Sequence, residues 1–265
     1  MTRPLVMGVV NVTPDSFSDG GRFLDPGAAL SHALRLIAHG ADILDIGGES
    51  TRPGAEPVSA DEEIARVVPL VEAVRAQSDI RISIDTMKPA VARAAVAAGA
   101  TMWNDVTALR WSDDSLPTAA ELGCEVVLMH MLGEPRTMQE HPRYDDVVGE
   151  VSAFLAERAQ AALDAGVRRE KVWLDPGIGF GKTVEHNLTL LANLSAIVEL
   201  GFPVVLGASR KRFIAAIDPL ASDDRLGGSL AASLTGAGAG VAAVRAHDVR
   251  ETVQAIDVWA AIHGA

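Results

Sequence analysis

Eight short apolar segments recur along the chain, and each of them ends at a polar or charged residue. Apolar runs of this length, lying between stretches with helical spacing, are typical of fully buried parallel strands. Strands that alternate with helices eight times predict an α/β fold, a single-domain (β/α)8 TIM barrel. The eight segments are Leu5–Val10, Ile43–Ile46, Ile80–Ile84, Thr101–Trp103, Val126–Met129, Val172–Leu174, Val204–Leu206 and Val241–Val244.

Length and charge limit the kinds of protein that this chain can be. Its 265 residues are close to the ~250 residues of one barrel, so we expect a single domain over residues 1–265. The formal net charge of −12 disfavours nucleic acids and anionic membranes as partners. An anionic substrate therefore needs a local cluster of positive charge within an unfavourable overall field.

Cysteine content and hydropathy bear on location. Cys124 is the only cysteine, which fits a reducing cytoplasm, and we expect it to be buried and inert because it opens an apolar strand. We see no signal peptide ahead of Leu5, and no apolar run reaches the ~18 residues that a membrane span requires. We therefore expect a cytoplasmic protein that does not engage a membrane.

The gaps between the strands carry helical patterns. Glycine recurs just after the predicted helix ends, as a left-handed C-terminal cap requires. The predicted helices are Pro26–His39, Ala60–Arg75, Pro89–Ala98, Leu116–Leu122, Asp145–Ala165, Glu185–Leu200, Arg225–Ala239 and Val249–His263.

The two longest irregular segments follow the first two strands. Asn11–Leu24 and Gly47–Ser59 both leave the C-terminal face of the barrel, where active sites lie in this fold. Loops of this length in a compact barrel are usually lids or binding loops. We therefore expect two long mobile loops that cover a site.

Positive side chains follow the seventh and eighth strands. Barrels of this kind often bind phosphate between the loops that follow these two strands. Here the loops contain Ser209-Arg210-Lys211 and Arg245-Ala246-His247, and Arg52 from the second loop can join them. Arginine offers a bidentate fork, lysine a point charge, and Ser209 can begin a helix whose amides face an anion. This clustering favours an anion site over ordinary surface charge.

Acids and amides follow the middle strands. Asp85, Asn104 and Asp175 each come directly after an apolar run, so their side chains should point into the mouth of the barrel. The alternative is that they cap the following helices. Three such residues in succession better suit a polar heteroaromatic ligand, because a carboxylate accepts two parallel N–H bonds from a guanidine-like edge. The sequence thus predicts a mouth with an acidic half and a cationic half.

Asn11 and His130 each allow two interpretations, and one glycine-rich run is only weak evidence for phosphate binding. The amide oxygen of Asn11 suits Mg²⁺ shared with a substrate phosphate, but a turn-forming asparagine is an equal alternative. His130 is either catalytic or a packed residue of the rim. The glycine-rich run Gly177–Lys182 lacks the spacing of a P-loop or a dinucleotide loop; we expect its glycines to let the chain pass close to a ligand at Asp175, with Phe180 lining a pocket.

Seven stretches of the sequence, among them those that contain the residues above, closely resemble one family, the dihydropteroate synthases of folate biosynthesis. The matching stretches run in order across essentially the whole chain, and the first two are long and specific. They are Met7–Gly21, Asp45–Gly54, Ser83–Thr86, Asn104–Val106, Asp175–Phe180, Ser209–Lys211 and Arg245–Asp248.

The resemblance implies a reaction and a set of roles. A dihydropterin with a CH₂–O–diphosphate group condenses with p-aminobenzoate, through Mg²⁺-assisted loss of diphosphate and a cationic pterin-methylene, to give 7,8-dihydropteroate. By the family pattern the catalytic residues are Asp19, near the reacting carbon, Lys211 and Arg245. The pterin is held by Asp85, Asn104, Asp175 and Lys211; the diphosphate by Asn11 (with Mg²⁺), Arg52, Arg245 and His247; p-aminobenzoate by Thr51, Phe180, Ser209 and Arg212.

The resemblance also has limits. Trp103 stands where smaller aliphatic residues are commoner, and we expect it to pack beneath the pterin. The family carries either Ser or Arg at the position of Arg212, so its contact with p-aminobenzoate stays open. The family further suggests a homodimer that binds only small-molecule substrates.

Three other functions are alternatives. A folate-dependent methyltransferase barrel should lack the Ser16–Gly21 loop and the Ser209–Lys211 turn, and both are present. A Schiff-base aldolase would use Lys211 as its amine. A non-catalytic pterin-binding paralogue would not need Asn11, Lys211 and Arg245 together.

Overall fold

A computed structural model of the chain describes residues 2–13, 26–50, 57–133, 138, 140–221 and 224–264. Its eight parallel strands form one sheet in the order β6-β5-β4-β3-β2-β1-β8-β7. A parallel bridge between Leu174 and Val204 joins the two outer strands and nearly closes the barrel. The strands are β1 (Leu5–Asn11), β2 (Ile43–Gly47), β3 (Arg81–Asp85), β4 (Met102–Asp105), β5 (Glu125–Met129), β6 (Val172–Asp175), β7 (Val205–Leu206) and β8 (Ala243–Ala246).

Helices surround this barrel, and the predicted (β/α)8 architecture is confirmed. Their starts have local causes: the Ser59 hydroxyl accepts from the Glu62 amide, and Thr183 and His186 cap each other's backbone. The helices are α1 (Pro26–Ala38), α2 (Ala60–Arg75), α3 (Pro89–Ala97), α4 (Ser115–Leu122), α5 (Val147–Asp164), α6 (Val184–Ala192), α7 (Leu194–Val198), α8 (Arg212–Ile217), α9 (Leu226–Ala239) and α10 (Val249–His263).

The helical pattern differs from the prediction in two places. The single helix expected over Glu185–Leu200 is broken at Asn193 into α6 and α7. The Asn193 amide donates to the carbonyl of Thr189 at 2.8 Å, which is the competition with backbone bonding that makes asparagine a poor interior helix residue. The short helix α8 was not predicted, because six residues give too few turns for a periodic pattern.

Residues of the strands alternate between the barrel interior and the layer under the helices. One interior layer is wholly apolar and fills the barrel at mid-height, so the barrel is a packed core rather than a channel. Its members are Met7, Ile43, Met102, Val127, Trp173, Val205 and Ala243. On β2, β4, β6 and β8 the next inward-facing position toward the C-terminal end is polar, and there the candidate site begins. These residues are Asp45, Asn104, Asp175 and Arg245.

Trp103 lies on the other side of the sheet. It is fully buried in the cluster between strands and helices, and its indole N–H donates to the Thr86 carbonyl at 2.7 Å. Because Met102 and Asn104 on either side of it face the interior, Trp103 must face outward. The expectation that it packs beneath the pterin is therefore wrong.

Two smaller expectations have clear outcomes. Cys124 is buried, as expected, and burial raises the pKa of its thiol to about 11, which makes it unreactive at neutral pH. In the described ranges, none of the helices combines the length and the apolar character that a membrane span needs.

Candidate active site

A network of charged and amide side chains fills the C-terminal end of the barrel interior. Arg245 of β8 donates from Nε to Asp45 Oδ2 at 2.6 Å and from Nη2 to Asp85 Oδ2 at 2.9 Å. The Asn104 amide donates to the same oxygen of Asp45 at 3.2 Å. Asp175 of β6 accepts from the Gly177 amide at 2.7 Å. Strands from both sides of the barrel thus bring these residues to one place.

The helix-capping alternative does not hold for the three predicted ligand-binding side chains. Helix α3 starts at Pro89 and α4 at Ser115, while α6 starts at Val184 and is capped by Thr183. None of these caps is Asp85, Asn104 or Asp175. Their polar atoms therefore serve the mouth of the barrel.

Burial and mutual repulsion set the protonation of the acids. Burial in the mouth of the barrel, together with the negative charge of Asp45, raises the pKa of Asp85 to about 7. Burial also raises the pKa of Asp175, against the opposing effects of the Gly177 amide and of Lys211. The acids hold the pKa of Arg245 above its ordinary value although burial opposes this. The mouth therefore holds the permanent cation Arg245 beside a carboxyl group, Asp85, whose pKa lies near neutrality.

Asp45 belongs to this network but was not among the predicted site residues. It is fully buried, it bonds both Arg245 and Asn104, and its second oxygen, Oδ1, has no hydrogen-bond partner. The signal in the sequence was an acid in the interior of an apolar strand, Ile43-Leu44-Asp45-Ile46. Such an acid is costly to bury unless it is paired, which makes it a candidate on its own.

Lys211 and Phe180 form one wall of the mouth. The Lys211 ammonium lies over the Phe180 ring, 4.0 Å from its centroid, which is a cation–π contact. Burial lowers the pKa of Lys211 to about 8, against the pull of Asp175. A Cβ placed on Gly179 would lie 3.0 Å from Lys211 Cδ, so the lysine stem runs along the backbone of the glycine-rich loop.

The glycines of that loop have a different role from the expected one. A Cβ on Gly177 would lie 1.9 Å from the His130 carbonyl oxygen, and one on Gly181 would lie 2.6 Å from that of Leu132. Both glycines have positive φ, 66° and 62°. They let the loop after β6 pass against the loop after β5, so their close approach is to protein backbone and not to a ligand.

His130 is a packed residue. It is 5% exposed, its ring meets Phe154 edge-on at 4.9 Å, and its Nδ1 lies 2.9 Å from the Lys182 ammonium. Burial, followed by the charge of Lys182, lowers the pKa of His130 to about 3. The imidazole is therefore neutral, and its Nδ1 accepts a hydrogen bond from the Lys182 amine. Of the two interpretations of His130, the structure favours the packed one.

His247 is held by Ser209 across the two cation-bearing loops. The Ser209 hydroxyl accepts from the His247 amide at 3.2 Å and lies 3.1 Å from Nδ1 of the ring. Burial and the nearby arginines lower the pKa of His247 to about 4. A hydroxyl that donates to Nδ1 leaves the ring proton on Nε2, where it can meet an anion.

The turn after β7 differs from the prediction in one respect. Helix α8 begins at Arg212, three residues beyond Ser209, so Ser209 does not start a helix. Arg212 is exposed. Arg210 has a left-handed backbone (φ 56°) and donates from Nε to the Asp248 carboxylate at 2.9 Å, which ties this turn to the loop after β8.

Asn11 is the last residue of β1 and is half-buried. Its backbone continues the ladder with Gly47 of β2, so it belongs to a strand end and not to a turn. Among the residues that the structure describes, no group of three or more His, Cys, Asp or Glu side chains could hold a metal. The predicted site residues Asp19, Thr51 and Arg52 lie outside the described ranges, as do parts of both long loops.

The expected division of the mouth into two halves is wrong in its detail. Arg245, assigned to the cationic half, lies between Asp45 and Asp85 of the acidic half. The reason is electrostatic, because a buried cation and buried acids each need the other as a partner. The acidic and the cationic parts of the site therefore meet at Arg245.

Comparison with known proteins gives one consistent result. The family model described as "Pterin binding enzyme" matches residues 7–247. The dihydropteroate synthase of Escherichia coli strain K12 is 46% identical over 258 residues, which are 97% of this chain and 91% of the relative. Among solved structures, Xanthomonas albilineans dihydropteroate synthase with 4-aminobenzoic acid has a TM-score of 0.93 at 51% identity, covering 99% of this chain and 94% of that one. The same enzyme in complex with 7,8-dihydropteroate has a TM-score of 0.90 at 48% identity, covering 100% and 96%.

Proposed function

Because the chain belongs to the pterin-binding enzymes, and among them to the dihydropteroate synthases, we propose that it makes 7,8-dihydropteroate and diphosphate from (7,8-dihydropterin-6-yl)methyl diphosphate and p-aminobenzoate. The observation that carries this proposal is the convergence of Asp85, Asn104 and Asp175 beside Arg245 at the mouth of the barrel. This set offers acceptors for a donor-rich ring and a cation for an anion within one cleft. We further propose that residues 1–265 act as a single domain.

The pterin half of the site uses the acids and the amide. Asp85 and Asp175 can each accept N–H bonds from the pterin, and a carboxylate facing the guanidine-like edge accepts two in parallel. Asn104 offers both a donor and an acceptor, and Lys211 adds a donor. The pterin N–H groups favour the ionised form of Asp85. Binding of the pterin therefore displaces the proton that burial keeps on the Asp85 carboxyl.

The diphosphate half uses cations and a neutral imidazole. We assign the diphosphate to Asn11, Arg52, Arg245 and His247, of which Arg52 lies outside the described residues. Support comes from the fixed charge of Arg245 and from the His247 ring, which Ser209 holds through Nδ1 at 3.1 Å. This local positive charge offsets the overall charge of −12.

We propose Mg²⁺ as the cofactor, and the donor set fits it. The described protein residues around Asn11 supply one amide oxygen and no cluster of acids. Mg²⁺ typically takes few protein ligands and completes its octahedron with phosphate oxygens and water. When bound, the ion would neutralise charge on the leaving diphosphate.

We assign the p-aminobenzoate site to Thr51, Phe180, Ser209 and Arg212, with Asp19 near the reacting carbon. Thr51 and Asp19 lie outside the described residues. Phe180 offers an apolar face beside the Lys211 ammonium. The exposed Arg212 stands at the first turn of α8, where it can meet the carboxylate of the substrate at the rim.

The reaction needs neither a strong base nor a covalent intermediate. The C–O bond to diphosphate breaks with both electrons leaving on oxygen, and the pterin ring delocalises the cation that remains on the methylene. The neutral arylamine nitrogen then forms the C–N bond and releases one proton. Arg245 holds the departing diphosphate and Lys211 holds the pterin that remains. Positioning and electrostatics therefore supply most of the rate.

Diphosphate release tests this proposal against the alternatives. We expect repeated release from the pterin diphosphate to depend on p-aminobenzoate and on Mg²⁺, and to stop in Lys211→Ala. A methyltransferase or a non-catalytic pterin-binding protein would bind the pterin and release no diphosphate. Borohydride trapping of Lys211 with a carbonyl compound would instead indicate an aldolase.

We also propose that the enzyme is a cytoplasmic homodimer. Val258 and Ile262 lie one turn apart on α10 and are 56% and 73% exposed, which supports an apolar contact between copies. The single buried cysteine fits a reducing compartment. Sedimentation equilibrium of the wild type and of Ile262→Glu, and fractionation of cells, test the two statements.

A further inference from the structure

Lys182 is a buried amine that the proposed reaction does not use, and burial lowers its pKa to about 7. It is 3% exposed, and its ammonium lies 2.9 Å from His130 Nδ1, 3.0 Å from the carbonyl oxygens of Gly177 and Phe180, and 3.4 Å from the carbonyl of His130. Burying an ammonium is costly unless its donors are satisfied. Here its partners all belong to the loops that follow β5 and β6.

The carbonyls converge because of the glycines around them. Positive φ at Gly177, Gly179 and Gly181 turns the loop after β6 so that two of its carbonyls face inward. Oxygens that converge in an apolar place repel one another and need a donor. The Lys182 amine donates to both of these carbonyls and so satisfies them together.

The Lys182 amine lies next to the site but outside it. One of the carbonyls that it contacts belongs to Phe180, and the Lys211 ammonium lies 4.0 Å from the centroid of the Phe180 ring. Gly179, between the two bonded carbonyls, lies against the Lys211 stem. A shift of this loop therefore moves Phe180 directly, whereas Lys211 is carried by the turn before α8 and Asp175 by the end of β6.

The other side of the mouth does not depend on this loop. Asp85 and Asn104 are carried by β3 and β4 and are held by Arg245 and Asp45. These side chains keep their places if the loop after β6 moves. We call the contacts of the Lys182 amine with Gly177, Phe180 and His130 the clamp. Loss of the clamp should therefore affect the binding of the two substrates unequally.

We propose that Lys182 is a positioning residue that fixes the glycine-rich loop, and through it Phe180, for the binding of p-aminobenzoate. The inference rests on the proposed function, since it assumes that p-aminobenzoate lies at Phe180. His130 takes part as the neutral acceptor that joins the loop after β5 to the clamp. Tyr144 adds a second tie, because its hydroxyl donates to the Gly181 carbonyl at 2.8 Å.

Steady-state kinetics of Lys182→Met test the proposal. We expect the KM for p-aminobenzoate to rise about tenfold, while the KM for the pterin diphosphate changes less than about twofold, because small misplacements of a binding wall cost affinity for the ligand it touches. The matched control is Lys171→Met, which removes a lysine at the opposite end of β6, and we expect it to leave both constants unchanged.

The outcomes separate this inference from the proposed function. A wild-type enzyme that forms no dihydropteroate contradicts the proposed function and the inference with it. A working wild type whose Lys182→Met variant keeps both constants, or loses affinity for both substrates equally, contradicts the inference alone. If Lys182→Met does not fold, Tyr144→Phe takes its place: a selective rise in the KM for p-aminobenzoate supports the clamp, and an unchanged value contradicts it.

Discussion

Arg245 reaches past β1 to Asp45, with Nε 2.6 Å from Oδ2, and so joins β8 to β2, the two strands that flank β1. The same guanidinium bonds Asp85. An arginine fork that engages two carboxylates is rigid. The cation at the junction of the pterin and diphosphate sites is therefore held in place before any substrate arrives.

Asp45→Asn should shift the pH dependence of pterin binding. Burial and Asp45 raise the pKa of Asp85 to about 7, so the free enzyme holds a proton on Asp85 below that pH and binding weakens as the pH falls through it. Removing the negative charge at position 45 lowers the pKa of Asp85 and moves this midpoint to lower pH. Calorimetric titration of a pterin between pH 5 and 9 measures the shift, with the exposed Asp61→Asn as control.

Asp175→Asn and Arg245→Ala should weaken different parts of the substrate. Asparagine in place of Asp175 loses an N–H acceptor and its charge, and we expect about tenfold or greater loss of affinity for a pterin without diphosphate. Arg245→Ala should mainly weaken the binding of diphosphate. Calorimetry with the two fragments checks both, and two variants that bind both fragments like the wild type would reject the assignment of these residues.

The sequence predicted the location of the site well and the contacts within it less well. Asp85, Asn104 and Asp175 were visible because each interrupts an apolar run at a strand end, and a parallel barrel gathers such ends. Asp45 was hidden within a run. Arg245 was placed with the cations, because the sequence reports charge but not the partner that a buried charge acquires.

Other differences have equally local reasons. The inward position of Asn104 already requires Trp103 to face outward, so strand alternation could have corrected that prediction. The role of Gly177 could not be foreseen, since it depends on the His130 carbonyl of another loop. The break at Asn193 depends on a side-chain bond to Thr189 that a helical pattern does not show.

Gly177→Ala should destabilise the fold far more than Gly123→Ala. Both glycines have positive φ, 66° and 59°, but a Cβ on Gly177 meets the His130 carbonyl at 1.9 Å, whereas one on Gly123 meets nothing within 4 Å. We expect about 1 kcal/mol for Gly123→Ala, from backbone strain alone. For Gly177→Ala we expect about 4 kcal/mol or more, because two loops must separate. Equal losses in urea unfolding would contradict the close packing of these loops.

A second buried ion network offers a test of stability. The Lys88 ammonium lies 2.6 Å from Glu49 Oε2 and 2.6 Å from Glu63 Oε2, and Glu63 is fully buried. Lys88→Met leaves Glu63 without its cation, and we expect a loss of about 3–5 kcal/mol in the free energy of unfolding.

The companion variants of this network are the double mutant and a surface pair. Adding Glu63→Gln to Lys88→Met should recover part of the loss, because the buried charge is then absent. Arg93→Met, at the exposed pair with Glu121, should change stability little. A double mutant no more stable than Lys88→Met would show that the loss does not come from the unpaired charge.

The reaction that we propose for this barrel joins a pterin-methylene to an arylamine with loss of diphosphate. Its most direct test is the joint measurement of dihydropteroate and diphosphate during turnover with both substrates and Mg²⁺. We predict equal amounts of the two products over many turnovers, no dihydropteroate when either substrate is left out, and at most one diphosphate per active site without p-aminobenzoate. Diphosphate released without a matching amount of dihydropteroate, or no release at all, would contradict the account.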